Sequence, residues 1–136
     1  MTQTQYFEWL GAPLANTRWS WGSVRDDGVV FLRAWQDETV KLDGKRYIWV
    51  VQHSAFVDDQ SNLGYQERIK HVDLVRAGAK CYIVMVEADS AKLPERIIKS
   101  YDSDDVFAAG SLREHDGGDW IELLQRVPAS QIRKKS

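Results

Sequence analysis

The sequence is poor in the features that most quickly give a function away. It has one cysteine, Cys81, in 136 residues, so no intrachain disulfide can form. That cysteine sits in the apolar run KCYIVMV, where a buried, inert thiol is expected rather than a nucleophile. Neither charge is in excess: 18 Lys plus Arg stand against 20 Asp plus Glu, a formal net charge of −2. That balance argues against a protein that coats nucleic acid by bulk electrostatics, and leaves room for a local basic face. No apolar run approaches the ~20 residues of a membrane span. The first residues, MTQTQYFEWL, also lack the basic and apolar regions of a signal peptide. The expectation is a cytoplasmic protein with no membrane contact.

The absences extend to chemistry. His53, His71 and His115 are far apart and belong to no HxxxH, HxH or CxxC pattern, so neither a metal site nor a cofactor is expected. There is no Gly-rich phosphate loop and no GxSxG elbow. Glu67, Arg68 and His71 share a helical face by their spacing of three and four. They read as a solvated face with an intrahelical ion pair in preference to a general acid–base pair. Glu87, Asp89 and Lys92 have the residue types of a metal-dependent nuclease. They lack the E-x-K alternation that would set carboxylate and amine on one face of a strand. No catalytic residue is assigned.

What is there suits one globular domain. Hydrophobic residues make up 43% and charged residues 28%, so residues 1–136 are read as a single domain with one core. Tyr6–Leu10 is a first strand or an N-terminal anchor, and Asn16–Gly22 an ordered loop. The turn Asp26-Asp27-Gly28 leads into GVVFLRAW, which sets Val30, Leu32 and Ala34 on one face and Phe31, Arg33 and Trp35 on the other. The turn Asp43-Gly44 leads into KRYIWVVQHS, and these two strands are expected to pair antiparallel. Leu63–Ala77 repeats Tyr65, Ile69, Val72 and Val75 at helical spacing, with Gly78 as its stop. KCYIVMVEA is a strand buried on both faces and Glu95–Ser100 a short strand. Val106–Glu114 and Asp119–Leu124 form a hairpin about Asp116–Gly118. After Val127-Pro128 the tail is expected to fray, from about residue 129. The sum is an α+β domain: a small, curved mixed β-barrel of five to six strands with one main helix.

Six tryptophans form the compositional outlier. Trp9, Trp49 and Trp120 are read as packing. Trp19 and Trp21 sit in the polar stretch NTRWSWG, and Trp35 closes a strand just before Gln36, Asp37 and Glu38. If the backbone of NTRWSWG is extended, both indoles point one way and Arg18 and Ser20 the other. An indole offers a large flat face at low entropic cost, which suits stacking on a base. Asn16 can pair with a base edge through both donor and acceptor, and Ser20 adds an adaptable hydroxyl. These are the parts of a pocket for an extruded nucleobase.

The stretches LGAPLANTRWSWG, GVVFLRAWQDE, ERIKHVDLVRAG and VFAAGSLREHDGGDWIEL resemble the N-terminal recognition domains that precede HNH nuclease domains in some modification-dependent restriction enzymes. More broadly the chain resembles the PUA superfamily, with its EVE, ASCH, YTH and SRA-type domains, from about Tyr6 to Pro128. The resemblance implies a curved barrel with an aromatic cage for a modified or flipped base. Carried onto this chain, the cage is Asn16, Trp19, Ser20, Trp21 and Trp35, with Asp37 as a base-edge acceptor, and Arg18 and Arg33 contact phosphate. The implied partner is nucleic acid, foremost DNA carrying a modified base. This chain has no HNH motif, so cutting requires either a hidden active site of its own or a separate nuclease protein. Two other readings stand beside it: a small metal-dependent nuclease or hydrolase using Glu67, Arg68 and His71 or Glu87 and Asp89, and a protein-interaction domain whose Trp cluster is an interface.

Overall fold

The computed structural model describes residues 2–52, 63–88 and 98–134. The chain opens with a helix, α1 (Gln3–Trp9), where Tyr6–Leu10 had suggested a strand or an anchor. The overlooked signal is Thr2-x-x-Gln5. Gln5 N–H donates to Thr2 Oγ1 at 3.1 Å and Thr2 N–H donates to Gln5 Oε1 at 2.9 Å, a capping box that satisfies two of the helix's open donors. Tyr6, Phe7 and Leu10 then face inward and are fully buried.

The strands are β1 (Gly22–Val24), β2 (Val30–Trp35), β3 (Thr39–Leu42), β4 (Lys45–Gln52), β5 (Cys81–Ala88), β6 (Ile98–Tyr101), β7 (Asp105–His115) and β8 (Gly118–Pro128). Helix α2 (Leu63–Arg76) lies between β4 and β5, and α3 (Ala129–Ile132) follows β8. The eight strands among the described residues join one mixed sheet in the order β1-β2-β5-β7-β8-β4-β3, with β6 paired to β5. The α+β class stands. The sheet is larger than the five or six strands expected, and it is not closed into a barrel.

Two hairpins are set by Asp-Gly turns. Asp43 and Gly44 have φ of 52° and 78°, and Asp116 and Gly117 have 51° and 76°. Two successive positive values give the turn whose twist matches that of the flanking strands. A two-residue turn joins only its immediate neighbours, so the partner of β4 is Thr39–Leu42. The expected antiparallel pairing of GVVFLRAW with KRYIWVVQHS is therefore not formed. Instead β2 pairs antiparallel with β1 and parallel with β5, from Val30↔Cys81 to Trp35↔Val86, a pairing that needs a long crossover.

Strand β5 is central and buried on both faces, as its continuous apolar run predicts. Cys81, Ile83 and Met85 join Leu32, Ile48, Val50, Ile121 and Leu123 beneath Val72 of α2. Tyr82 and Val84 face the other way and pack with Phe31 and Val106 against Tyr6, Phe7 and Leu10. Fully burying each such side chain stabilises the fold by about 1.5–3 kcal/mol. Ala129 and Ile132 of α3 join this second core, Arg133 lies 4.4 Å over the Trp9 ring, and Lys134 N–H donates to Leu10 O. The tail expected to fray from residue 129 is thus docked as far as Lys134. The reason is the apolar pair Ala129 and Ile132, which the basic end of the chain obscured.

Candidate functional site

Helix α2 ends as its sequence predicts, with Gly78 beyond it at φ 111°. Its inner face is less ordinary. Gly64, Tyr65, Arg68, His71 and Val72 are buried, so Arg68 and His71 are not on the solvated face expected of them. Arg68 is only 3% exposed. Its Nη1 donates to Val50 O at 2.8 Å, and its Nη2 to Trp21 O at 3.0 Å and Arg33 O at 2.6 Å. The donors of Arg68 are turned to backbone carbonyls and not to solvent.

Those carbonyls explain the burial. The sheet curls until β2 and β4 lie near each other, yet no ladder joins them among the described residues. Strand ends without ladder partners leave acceptors that must be satisfied. The planar fork of a guanidinium spans such a seam where no other side chain does. Burial, with Arg33 close by, pushes the Arg68 guanidinium down to about 10.

Around Arg68 lies a polar cluster. Ser20 is buried, and its hydroxyl donates to Glu67 Oε2 at 2.9 Å. Arg33 donates from Nη1 to Gln3 Oε1 at 2.9 Å, tying β2 to α1, and from Nη2 to Ser20 O. Burial holds the Arg33 guanidinium below its ordinary range, with Glu67 acting against that shift. Four buried atoms in this cluster have no hydrogen-bond partner among the described residues: Arg33 Nε, Glu67 Oε1, Arg68 Nε and His71 Nδ1. His71 is pushed down to about 4, first by burial and then by Arg68. It is a weak base, which suits poorly the acid–base role weighed for this helix face.

Trp21 packs against this cluster. Residues 16–20 form a turn rather than an extended strand, with Ser20 N–H donating to Asn16 O at 3.0 Å, so the alternation argument for Trp19 and Trp21 does not apply. Trp21 lies against α2: a Cβ on Gly64 would sit 2.4 Å from its Nε1 and 2.6 Å from its Cε2. The Arg68 guanidinium is 5.7 Å from the Trp21 ring centre. Arg33 N–H donates to Trp21 O, which runs this segment alongside β2 toward Trp35 at the strand's end. Trp19, Trp21 and Trp35 are all half-buried.

The remaining candidates are placed as follows. Asn16 is half-buried and spends its Oδ1 on the Arg18 N–H at 2.9 Å. Asp37 and Arg18 are exposed. Arg33 is committed inside the fold, which leaves Arg18 as the phosphate candidate of the two. Glu67 joins Ser20 in this cluster, and the signal for it is the spacing that sets it near His71 on α2. Of the acidic strand, Glu87 accepts from the Ser100 hydroxyl at 3.1 Å. Asp89, Lys92 and His53 lie outside the described residues.

No known family model, curated protein or solved structure matches the chain. No helix among the described residues is long and apolar enough to cross a membrane.

Proposed function

We propose that this chain is a nucleic-acid-binding module of PUA-like character that takes a modified or flipped base, foremost in DNA, into the site built on Trp19, Trp21 and Trp35. The observation that carries this reading is the half-buried Trp21 indole packed beside uncommitted polar atoms. Glu67 Oε1 lacks a donor, and Arg33 Nε and Arg68 Nε lack acceptors. Leaving such atoms unpaired costs about 1–3 kcal/mol each. A base supplies both a flat face for the indoles and an edge with donors and acceptors. Glu67 is a better edge acceptor than Asn16, whose Oδ1 is occupied, or Asp37, which is exposed. Arg18 meets the flanking phosphate, and any cleavage belongs to a separate nuclease protein.

The test is tryptophan quenching on titration with duplexes carrying plain or modified cytosine or adenine at low salt. Quenching by a modified duplex, lost in Trp19→Leu and weakened in Glu67→Gln, is the expected result. No quenching by any of these duplexes removes the proposal.

A further inference from the structure

Arg33 and Glu67 carry opposite charges in one cluster, and each keeps a buried atom without a partner among the described residues, Arg33 Nε and Glu67 Oε1. The two side chains share a neighbour. Ser20 O accepts from Arg33 Nη2, and the Ser20 hydroxyl donates to Glu67 Oε2 at 2.9 Å. The Glu67 charge also acts on the Arg33 guanidinium. A buried donor and a buried acceptor are both costly to leave unpaired, and a bond between Arg33 and Glu67 would satisfy them together. Something holds them apart.

The grip on the other nitrogens of Arg33 accounts for it. Nη2 is held by Ser20 O, and Nη1 donates to Gln3 Oε1 at 2.9 Å. A guanidinium is planar and rigid, so two tethers fix its plane and with it the direction of Nε–H. The tethers come from different places. Val30, Leu32 and Ala34 line the first core beneath α2, and Phe31 lines the second core with α1. Strand alternation therefore sends Arg33 to the α1 side of the sheet, where Gln3 meets it, while Glu67 sits on α2. Helix α1 is a firm platform for this. Its start is closed by the Thr2–Gln5 capping box, and Tyr6, Phe7 and Leu10 are buried. At its end Leu10 O accepts from Arg25 Nη1 at 3.1 Å and from Lys134 N–H at 3.2 Å. Arg25 Nη1 also donates to Ile132 O at 2.7 Å, which binds α3 to the same point.

We infer that Gln3 is a positioning residue: by holding Arg33 Nη1 on the α1 side of the sheet it keeps the guanidinium from closing on Glu67, and so keeps Glu67 Oε1 open to a donor from a ligand. The inference rests on the reading of this cluster as a base-binding site. It gives that site an internal competitor. Without Gln3, Arg33 bonds to Glu67 and takes the acceptor that a base edge needs.

Two measurements on the full chain keep the inference separate from the reading beneath it. The first needs no ligand: the Arg33 Nε–Hε cross-peak in a proton–nitrogen NMR spectrum, assigned by its loss in Arg33→Lys. Gln3→Ala is expected to move this peak, because Nε then bonds to Glu67. The double variant Gln3→Ala/Glu67→Met has no carboxylate to bond and should move it less. Gln3→Glu keeps an acceptor in place and should leave the peak close to its parental position. A peak that Gln3→Ala moves no farther than the double variant does overturns the inference. The second measurement is tryptophan quenching by modified duplex. Gln3→Ala is expected to weaken binding about tenfold, the equivalent of one lost hydrogen bond to a charged group, and Gln3→Glu to bind as the parent does. Unchanged binding in Gln3→Ala, where the parent binds, also overturns the inference. A parent chain that binds no duplex removes the base-binding reading alone, and the cross-peak still decides whether Gln3 holds the pair apart. Alanine favours the helix and the capping box is untouched, so α1 persists in Gln3→Ala, as circular dichroism should show.

Discussion

Replacing Arg68 by leucine removes the one side chain that joins β2, β4 and the Trp21 segment across the open seam. Buried ion pairs are often replaced by apolar groups without loss, because both charges leave together. Here the partners are the carbonyls of Val50, Trp21 and Arg33, and they stay. Trp21 O keeps the Arg33 N–H, so the carbonyls of Val50 and Arg33 are the two that lose a donor; at about 1–3 kcal/mol each, the gross loss is about 2–6. Against that stand the desolvation of a buried cation, its unpaired Nε and its repulsion of Arg33, all relieved by the substitution. The expected net loss is about 2–4 kcal/mol, a large share of the 5–15 kcal/mol that holds a typical domain together. Arg68→Lys is expected to lose about half as much, since an ammonium donates from one point and cannot span the seam. Urea denaturation followed by tryptophan fluorescence measures both. A midpoint for Arg68→Leu at or above that of the parent chain, with an unchanged m-value, would falsify the idea that the guanidinium closes the seam.

Three further outcomes follow from neighbouring residues. His71 is held neutral down to about pH 4, while an unfolded chain takes up that proton near its ordinary value of 6.5. Stability is therefore complete above about pH 6.5 and declines as pH falls toward 4, by up to about 2 kcal/mol. His71→Gln should flatten that limb of a stability–pH profile. Gly64→Ala should destabilise the chain by about 1–3 kcal/mol and shift tryptophan emission to the red, because the new methyl displaces the Trp21 indole; alanine's helix preference alone would give the opposite sign. Cys81 is buried, and burial pushes its thiol up to about 12, so iodoacetamide should leave it unmodified in the native chain and alkylate it in urea.

The readable parts of the fold were those governed by local rules. Strand β5 announced itself by an unbroken apolar run, the β7–β8 hairpin by its Asp-Gly turn, and α2 by period and by Gly78. The α1 capping box was equally local, but an aromatic run of five residues masked it. Pairing was harder to read. Two adjacent apolar strands invite an antiparallel match, and nothing in Val30–Trp35 says that its parallel partner begins at Cys81. Among the site residues, NTRWSWG was singled out by the clash of polar and aromatic character. Its backbone path was not, because a turn closed by Ser20 N–H and Asn16 O leaves no periodicity to detect.

The deepest misreading concerned Arg68 and His71, and its cause is general. Hydropathy places a charged residue outside unless a partner charge is in view, and the partners of Arg68 are carbonyls on strands far away in sequence. Yet the same seam accounts for where the candidate site lies. A completed ladder between β2 and β4 would consume those carbonyls and leave no reason to bury a guanidinium. An interrupted one draws Arg68 inward and seats Trp21 on Gly64 above it. The polar atoms gathered there, Glu67 Oε1 and the two arginine Nε groups, stay uncommitted beside the half-buried Trp21 indole. A gap in the sheet's hydrogen bonding is thus at once the structural weakness that Arg68 repairs and the source of the uncommitted donors and acceptors on which the proposed function rests. Binding at this site should therefore stabilise the seam, and a modified duplex should raise the urea midpoint of the parent chain more than that of Glu67→Gln.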